Sequence, residues 1–222
     1  MRIVLGYPSI DDPRGYLQVG QNRQAKIFSV GEEAAIFPCV MAWAATLLKQ
    51  AGHEVRWQDG PTEGMTWGQQ LTALRDAHPD LVCWEVKTPS APRAYEAVKA
   101  LKESLPSTIV VLVGDHVTAL PEEAAEATYV KDGTPVVVVL NGDYDYALME
   151  IVKVLTGERS VFLPGGAHCP AYMCLTDCAE CRIHYGFIWN QVTTTKLDTL
   201  PTIDRELCQW KLYSRMGNYL RR

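Results

Sequence analysis

Five strand-like segments, most of them apolar, alternate with segments of helix length, and this alternation leaves few folds open to the chain. The segments are Ile3–Leu5, His53–Trp57, Leu81–Val86, Ile109–Val113 and Pro135–Leu140. Between them, Pro38 suits the first turn of a helix reaching about Ala51, with Gly52 as its stop. Thr66 followed by Gln69 has the form of a capping box and opens a helix to about Ala77. Ser90 can cap, and Pro92 can start, a helix through Leu105. Pro121 begins another through Ala127, and Asn141-Gly142-Asp143 turns into a last one ending near Leu155. Strands and helices in alternation predict a parallel sheet with right-handed crossovers. Runs such as Val136–Leu140, apolar at every position, fit strands covered on both faces.

Two regions depart from this pattern. Residues 6–37 carry Pro8 and Pro13 and read as a long irregular connection, which in a compact domain is usually functional. The alternation ends near residue 158. This predicts a first domain over 1–158 and a cysteine-bearing extension or linker over 159–222. A chain of 222 residues can hold one good core and such an appendage. The net charge of -5 argues against a nucleic-acid partner. No apolar run approaches the roughly 20 residues of a membrane span. Met1-Arg2-Ile3-Val4-Leu5 enters a strand directly, without the look of a signal peptide, so a cytoplasmic location is expected.

In an open α/β sheet, ligands sit beyond the carboxyl ends of the strands. The expected rim is Gly6-Tyr7-Pro8-Ser9, Asp59, Thr88-Pro89-Ser90, Gly114-Asp115-His116-Val117-Thr118 and Asn141-Gly142-Asp143-Tyr144. No G-x-G-x-x-G follows a strand and no G-x-x-x-x-G-K-[ST] occurs, which disfavours a nicotinamide or nucleoside-triphosphate site. Gly114 and Gly142 each end a strand, where they either let backbone approach a flat ligand or simply ease a tight turn.

The cysteines divide into two kinds. Cys39 and Cys83 lie in apolar segments and read as buried small hydrophobes, and Cys208 is isolated. Cys169, Cys174, Cys178 and Cys181 form a C-x4-C-x3-C-x2-C cluster, with His168 and His184 nearby. Four thiolates so spaced suit tetrahedral zinc or an iron–sulfur cluster. The alternative is a set of free thiols.

Several of these segments, taken in order, resemble the cobalamin-binding domain found at the N-terminus of cobalamin-dependent radical S-adenosylmethionine (SAM) enzymes. Phe37-Pro38 through Gly52-His53-Glu54-Val55 resembles that family's first helix and the A-G-H-E-V that closes it. Pro79-Asp80-Leu81-Val82 and Thr88-Pro89-Ser90 resemble its third strand and loop. Gly114-Asp115-His116-Val117-Thr118-Ala119-Leu120-Pro121-Glu122 resembles its G-x-H-x-T-x-x-P-E loop, and Asn141-Gly142-Asp143-Tyr144-Asp145 its last acidic turn. Leu200-Pro201-Thr202-Ile203-Asp204-Arg205 resembles the L-P-x-x-D-R motif that lies there between the cobalamin domain and the radical SAM barrel.

The resemblance implies a flavodoxin-like, doubly wound, five-stranded parallel sheet of order 2-1-3-4-5 that binds cobalamin. The implied cofactor contacts are Pro8, Ser9, Thr88, Pro89, Ser90, Gly114, Asp115, His116, Thr118, Gly142, Asp143 and Tyr144. Residues 6–37 contain no histidine, so the D-x-H-x-x-G lower cobalt ligand of many cobalamin carriers is absent, and His116 is expected to support its loop instead. Cys174, Cys178 and Cys181 have the C-x3-C-x2-C spacing by which radical SAM enzymes hold a [4Fe–4S] cluster, but they precede the L-P-x-x-D-R motif instead of following it. Too few residues follow Cys181 for a barrel. The chain is therefore expected to be a cobalamin module and not a complete enzyme, its radical SAM barrel supplied in cis or in trans. The alternatives are a short iron–sulfur radical SAM protein and a free-standing cobalamin-binding, zinc-binding or regulatory domain.

Overall fold

A computed structural model of the chain describes residues 1–12, 15–19, 25–28, 36–128, 136–140, 144–158, 187–190 and 197–215. Its main sheet contains β1 (Arg2–Tyr7), β5 (Glu54–Asp59), β6 (Leu81–Glu85), β7 (Ile109–Val113), β8 (Val136–Leu140) and β9 (Phe187–Asn190). These strands stand in the order β5-β1-β6-β7-β8-β9, and every neighbouring pair is parallel. The five expected strands are joined by a sixth, β9, which pairs with β8. Phe187-Ile188-Trp189-Asn190 is short and lies beyond the point where the helix–strand alternation stops, so periodicity gave no hint of it.

The expected irregular connection also needs correction. It contains β2 (Asp11–Asp12), β3 (Gly15–Val19) and β4 (Ala25–Phe28), which form a separate antiparallel sheet of order β2-β3-β4. These strands have two to five residues each, too short to show a clear alternation of apolar and polar positions.

Alternation along the buried strands sends side chains to two cores. Ile3, Leu5, Cys83, Val111 and Val113 face α1 (Cys39–Gln50) and α6 (Tyr144–Leu155). Val4, Val82, Trp84, Val110 and Leu112 face the other side. There they meet Leu74 of α2 (Trp67–Ala77), Ala94, Val98 and Leu101 of α3 (Ala91–Ser104), and Ala124 of α5 (Pro121–Ala127). Each fully buried Leu or Val is worth about 1.5–3 kcal/mol relative to exposure, so the two faces fix strand register as well as stability. The capping box at Thr66 and Gln69 is present as expected, and it starts α2 at the residue after Thr66.

Residues 199–213 pack against these helices and strands. The Trp43 indole N–H donates to Pro201 O at 3.1 Å, and Asp204 N donates to Thr46 Oγ1 at 3.0 Å. Lys49 pairs with Asp204 at 2.6 Å and, with the Leu207 N–H, holds that carboxyl below its usual range. Cys208 and Tyr213 are buried against α1, with the Phe37 and Tyr213 rings edge-to-face at 5.2 Å. Glu206–Tyr213 has the residue pattern of an amphipathic helix but is helical only from Trp210, in α7 (Trp210–Arg215). No helix among the described residues is long and apolar enough to cross a membrane.

Candidate functional site

A parallel sheet brings all its carboxyl ends to one edge. Here that edge collects Tyr7, Asp59, Glu85 and Val113, and the loops that follow them. Gly114 sets the spacing between two of those loops. Its φ is +108°, and a Cβ there would lie 2.8 Å from Glu85 Cγ and 2.9 Å from the Val86 carbonyl oxygen. Glycine alone lets this turn lie against the end of β6. The short helix α4 (Asp115–Ala119) then starts directly, with Thr118 N donating to Gly114 O at 3.0 Å.

The close approach places His116 against the 3-10 turn at Thr88–Ser90. His116 Nδ1 lies 3.1 Å from Thr88 Oγ1, and Nε2 lies 3.3 Å from Glu123 Oε1. The imidazole is 5% exposed and rests beside the Tyr95 ring, while Thr88 and Pro89 are exposed at the rim. Ser90 is buried, and its hydroxyl donates to Lys87 O at 3.0 Å, so it holds the turn from inside. Asp115 is exposed and receives the Lys87 ammonium at 3.2 Å. Thr118 is half-buried.

Pro8 and Ser9 are buried at the end of β1. Ser9 N donates to Gln70 Oε1, and Gln70 Nε2 donates to Tyr7 O at 2.9 Å. The Ser9 hydroxyl is buried without any hydrogen-bond partner among the described residues. Gly142, Asp143 and the cysteines Cys169, Cys174, Cys178 and Cys181 lie outside the described residues. Among the described residues no cluster of His, Cys, Asp or Glu could hold a metal ion.

The centre of the edge holds a network that the sequence did not announce. Glu85 is 3% exposed at the end of the middle strand β6. One of its oxygens accepts the hydroxyls of Tyr7 and, at 3.1 Å, Tyr144; the other accepts the Lys87 ammonium at 2.5 Å. Burial first, and then the charge of Glu85, push both tyrosines well above their ordinary range, so they stay protonated as donors. Tyr144, expected at the rim, thus turns its hydroxyl inward. Beyond Tyr7 and Tyr144 in the expected rim, the network's sequence trace is an acid closing the apolar run Leu81–Trp84, with a lysine two positions on.

A second buried carboxylate, Asp59, accepts the Tyr213 hydroxyl at 2.7 Å, the Thr62 hydroxyl at 2.8 Å and the Thr62 N–H at 3.1 Å. Burial still raises its pKa. Beside it, Glu63 accepts the Asp59 N–H at 2.8 Å, and burial, aided by the Asp59 charge, raises Glu63 from 4.5 to about 7. The folded state therefore holds this proton more tightly than the unfolded chain does. The associated stability is fully present below pH 4.5 and is lost as pH rises through about 7. Replacing Glu63 by Gln keeps an acceptor for the Asp59 N–H and removes the charge. Allowing for solvent screening, the variant is expected to gain about 1 kcal/mol over wild type at alkaline pH and nothing near pH 4. Urea unfolding midpoints across this range check it; parallel curves for the two proteins would refute it.

Glycine-gated loops, a polar rim and an apolar sheet behind them define an α/β domain built to hold a ligand at its carboxyl edge. Residues 35–152, more than half of the chain, match the B12 binding domain family. The chain belongs to that family, and the resemblance drawn from its loops is borne out. Over 122 residues it is 29% identical to the anaerobic magnesium-protoporphyrin IX monomethyl ester cyclase of Cereibacter sphaeroides, a match covering 53% of this chain and 19% of the cyclase. Over 124 residues it is 26% identical to an uncharacterized methyltransferase of Pyrococcus horikoshii, covering 56% of this chain and 26% of that protein. The chain thus matches only about a fifth to a quarter of the length of these relatives. No solved structure gives a significant match.

Proposed function

We propose that the chain is a cobalamin-binding module whose bound corrin serves methyl transfer or radical chemistry completed by a radical SAM barrel in cis or in trans. The observation that carries this reading is the place of the family match. It runs from residue 35 to residue 152 and contains the Thr88 turn, the Gly114 loop and the start of α6. The residues present fit a corrin. The buried, partnerless Ser9 hydroxyl is an orphan that a bound polar group would satisfy. Thr88 is exposed at the rim, where its hydroxyl can meet a peripheral carboxamide, and the close turn at Gly114 brings that loop beside it.

Bound cobalamin supplies a cobalt centre that can carry a methyl group or take part in one-electron chemistry. The chain's own residues bind and orient. Glu85, with its two tyrosines and Lys87, fixes the floor of the edge, and His116 fixes the Thr88 turn. The cyclase and methyltransferase names of the two relatives agree with a module serving such chemistry. A cytoplasmic setting accords with this role.

The purified protein, mixed with hydroxocobalamin and desalted, is expected to keep the corrin and its visible spectrum. A folded protein that retains no corrin would overturn the reading. Cys169, Cys174, Cys178 and Cys181 retain, by their spacing, the proposal of a separate zinc or iron–sulfur site. Metal analysis of protein purified without oxygen is expected to find one of these metals bound.

A further inference from the structure

Three residues from separate stretches of the chain meet behind the rim: Thr88, His116 and Glu123. We propose that they form a relay that fixes the Thr88 hydroxyl as a hydrogen-bond acceptor toward the ligand, so that the site selects a carboxamide N–H over a carboxylate or phosphate oxygen. The inference rests on the cobalamin reading and specifies one contact within it.

The chemistry follows from what each group can donate. A carboxylate offers only acceptors, so the 3.3 Å contact between Glu123 Oε1 and His116 Nε2 puts the ring hydrogen on Nε2. In the neutral ring Nδ1 is then a bare lone pair. Its contact with Thr88 Oγ1 at 3.1 Å is satisfied only if the threonine donates its O–H inward. The hydroxyl oxygen keeps its lone pairs at the exposed rim, and these accept from a ligand N–H.

The surroundings favour the same sign. Exposed carboxylates of Asp115 and Glu123 flank the turn, with side chains 59% and 54% exposed, and they repel a ligand anion. Lys87, the cation of this loop, is held between Glu85 and Asp115. His116 is nearly fully covered and acts through Thr88. It is a positioning residue, as is Glu123. Without Glu123 the ring is free to carry its hydrogen on Nδ1, which would donate to Thr88 and turn the threonine hydrogen outward.

Two measurements test this. In the ligand-free protein held at alkaline pH, nitrogen NMR of His116 is expected to show Nε2 protonated and Nδ1 bare. Glu123→Ala is expected to shift the ring toward the other tautomer. Binding is then compared between cobalamin and the analogues in which one peripheral carboxamide is hydrolysed to a carboxylate. Wild type is expected to discriminate against at least one analogue by about tenfold, the size of one well-placed hydrogen bond. Thr88→Val and Glu123→Ala are expected to lose that discrimination, and Thr88→Ser to keep it. Binding of all corrins with equal discrimination in wild type and variants overturns the relay while leaving the cobalamin reading intact. A His116 ring protonated on Nδ1 does the same. A folded wild type that binds no corrin overturns both.

Discussion

Replacing Gly6 by alanine is expected to abolish cooperative folding. Gly6 lies inside β1 and pairs with Gln58 of β5. Its φ is +155°, and a Cβ there would stand 1.9 Å from the Gln58 carbonyl oxygen and 2.5 Å from its carbonyl carbon. Overpacking against movable side chains costs about 1–3 kcal/mol. Here the obstacle is backbone of a paired strand, so relief requires prising β5 from β1. The conformation adds a further ~1–3 kcal/mol for any residue with a Cβ. Against a total stability of about 5–15 kcal/mol this is enough to leave the protein unfolded or insoluble. Circular dichroism during urea titration reads the result. Gly68→Ala is the control: it sits in α2 with nothing within 4 Å of the added Cβ, and it is expected to match or slightly exceed wild type. A Gly6→Ala protein with a wild-type midpoint would refute the account.

The second large effect is expected at Glu85. Glu85→Ala leaves the Lys87 ammonium, whose side chain is 8% exposed, without its nearer carboxylate. It also strips the acceptor from two buried tyrosine hydroxyls. Breaking one side of a buried ion pair costs about 3–5 kcal/mol, because the remaining charge stays buried. Glu85→Gln keeps an acceptor for the tyrosines and is expected to lose less. In the double variant Glu85→Ala with Lys87→Met, the stranded charge is gone and part of the stability is expected to return. Unfolding midpoints of wild type, Glu85→Ala, Lys87→Met and the double variant decide the matter. Strictly additive losses would show that the pair is not coupled.

The strands β1, β6, β7 and β8 were legible in the sequence because burial on both faces demands largely apolar runs, and β5, a marginal strand with exposed charges, because of its place between two helix-length segments. The rim loops were legible because a parallel sheet puts all its carboxyl ends on one edge. What stayed hidden was whatever depends on distance across the chain. Tyr7 and Glu85 are 78 positions apart, and nothing local in either marks their contact. Ser90 and Tyr144 follow strand ends and so read as rim residues, yet their hydroxyls turn inward to Lys87 O and Glu85. His116 stood out as a loop residue, but its link to Thr88 joins loops after two different strands. Gly6 looks in the sequence like any other rim residue, because its requirement comes from the neighbouring strand β5.

The strand order leaves β5 at one margin of the main sheet, paired on a single side with β1. A bare margin of this kind invites another chain to add a strand and begin aggregation. The first half of β5 carries Glu54 and Arg56, both well exposed and 3.6 Å apart, charges that an incoming strand would have to desolvate. The second half is closed by the protein itself. Gln209 Nε2 reaches the Trp57 carbonyl oxygen at 3.4 Å, and Tyr213 covers the end at Asp59. The returning segment thus acts as a guard rail along the second half of β5, where Gln209 and Tyr213 occupy the place an added strand would need.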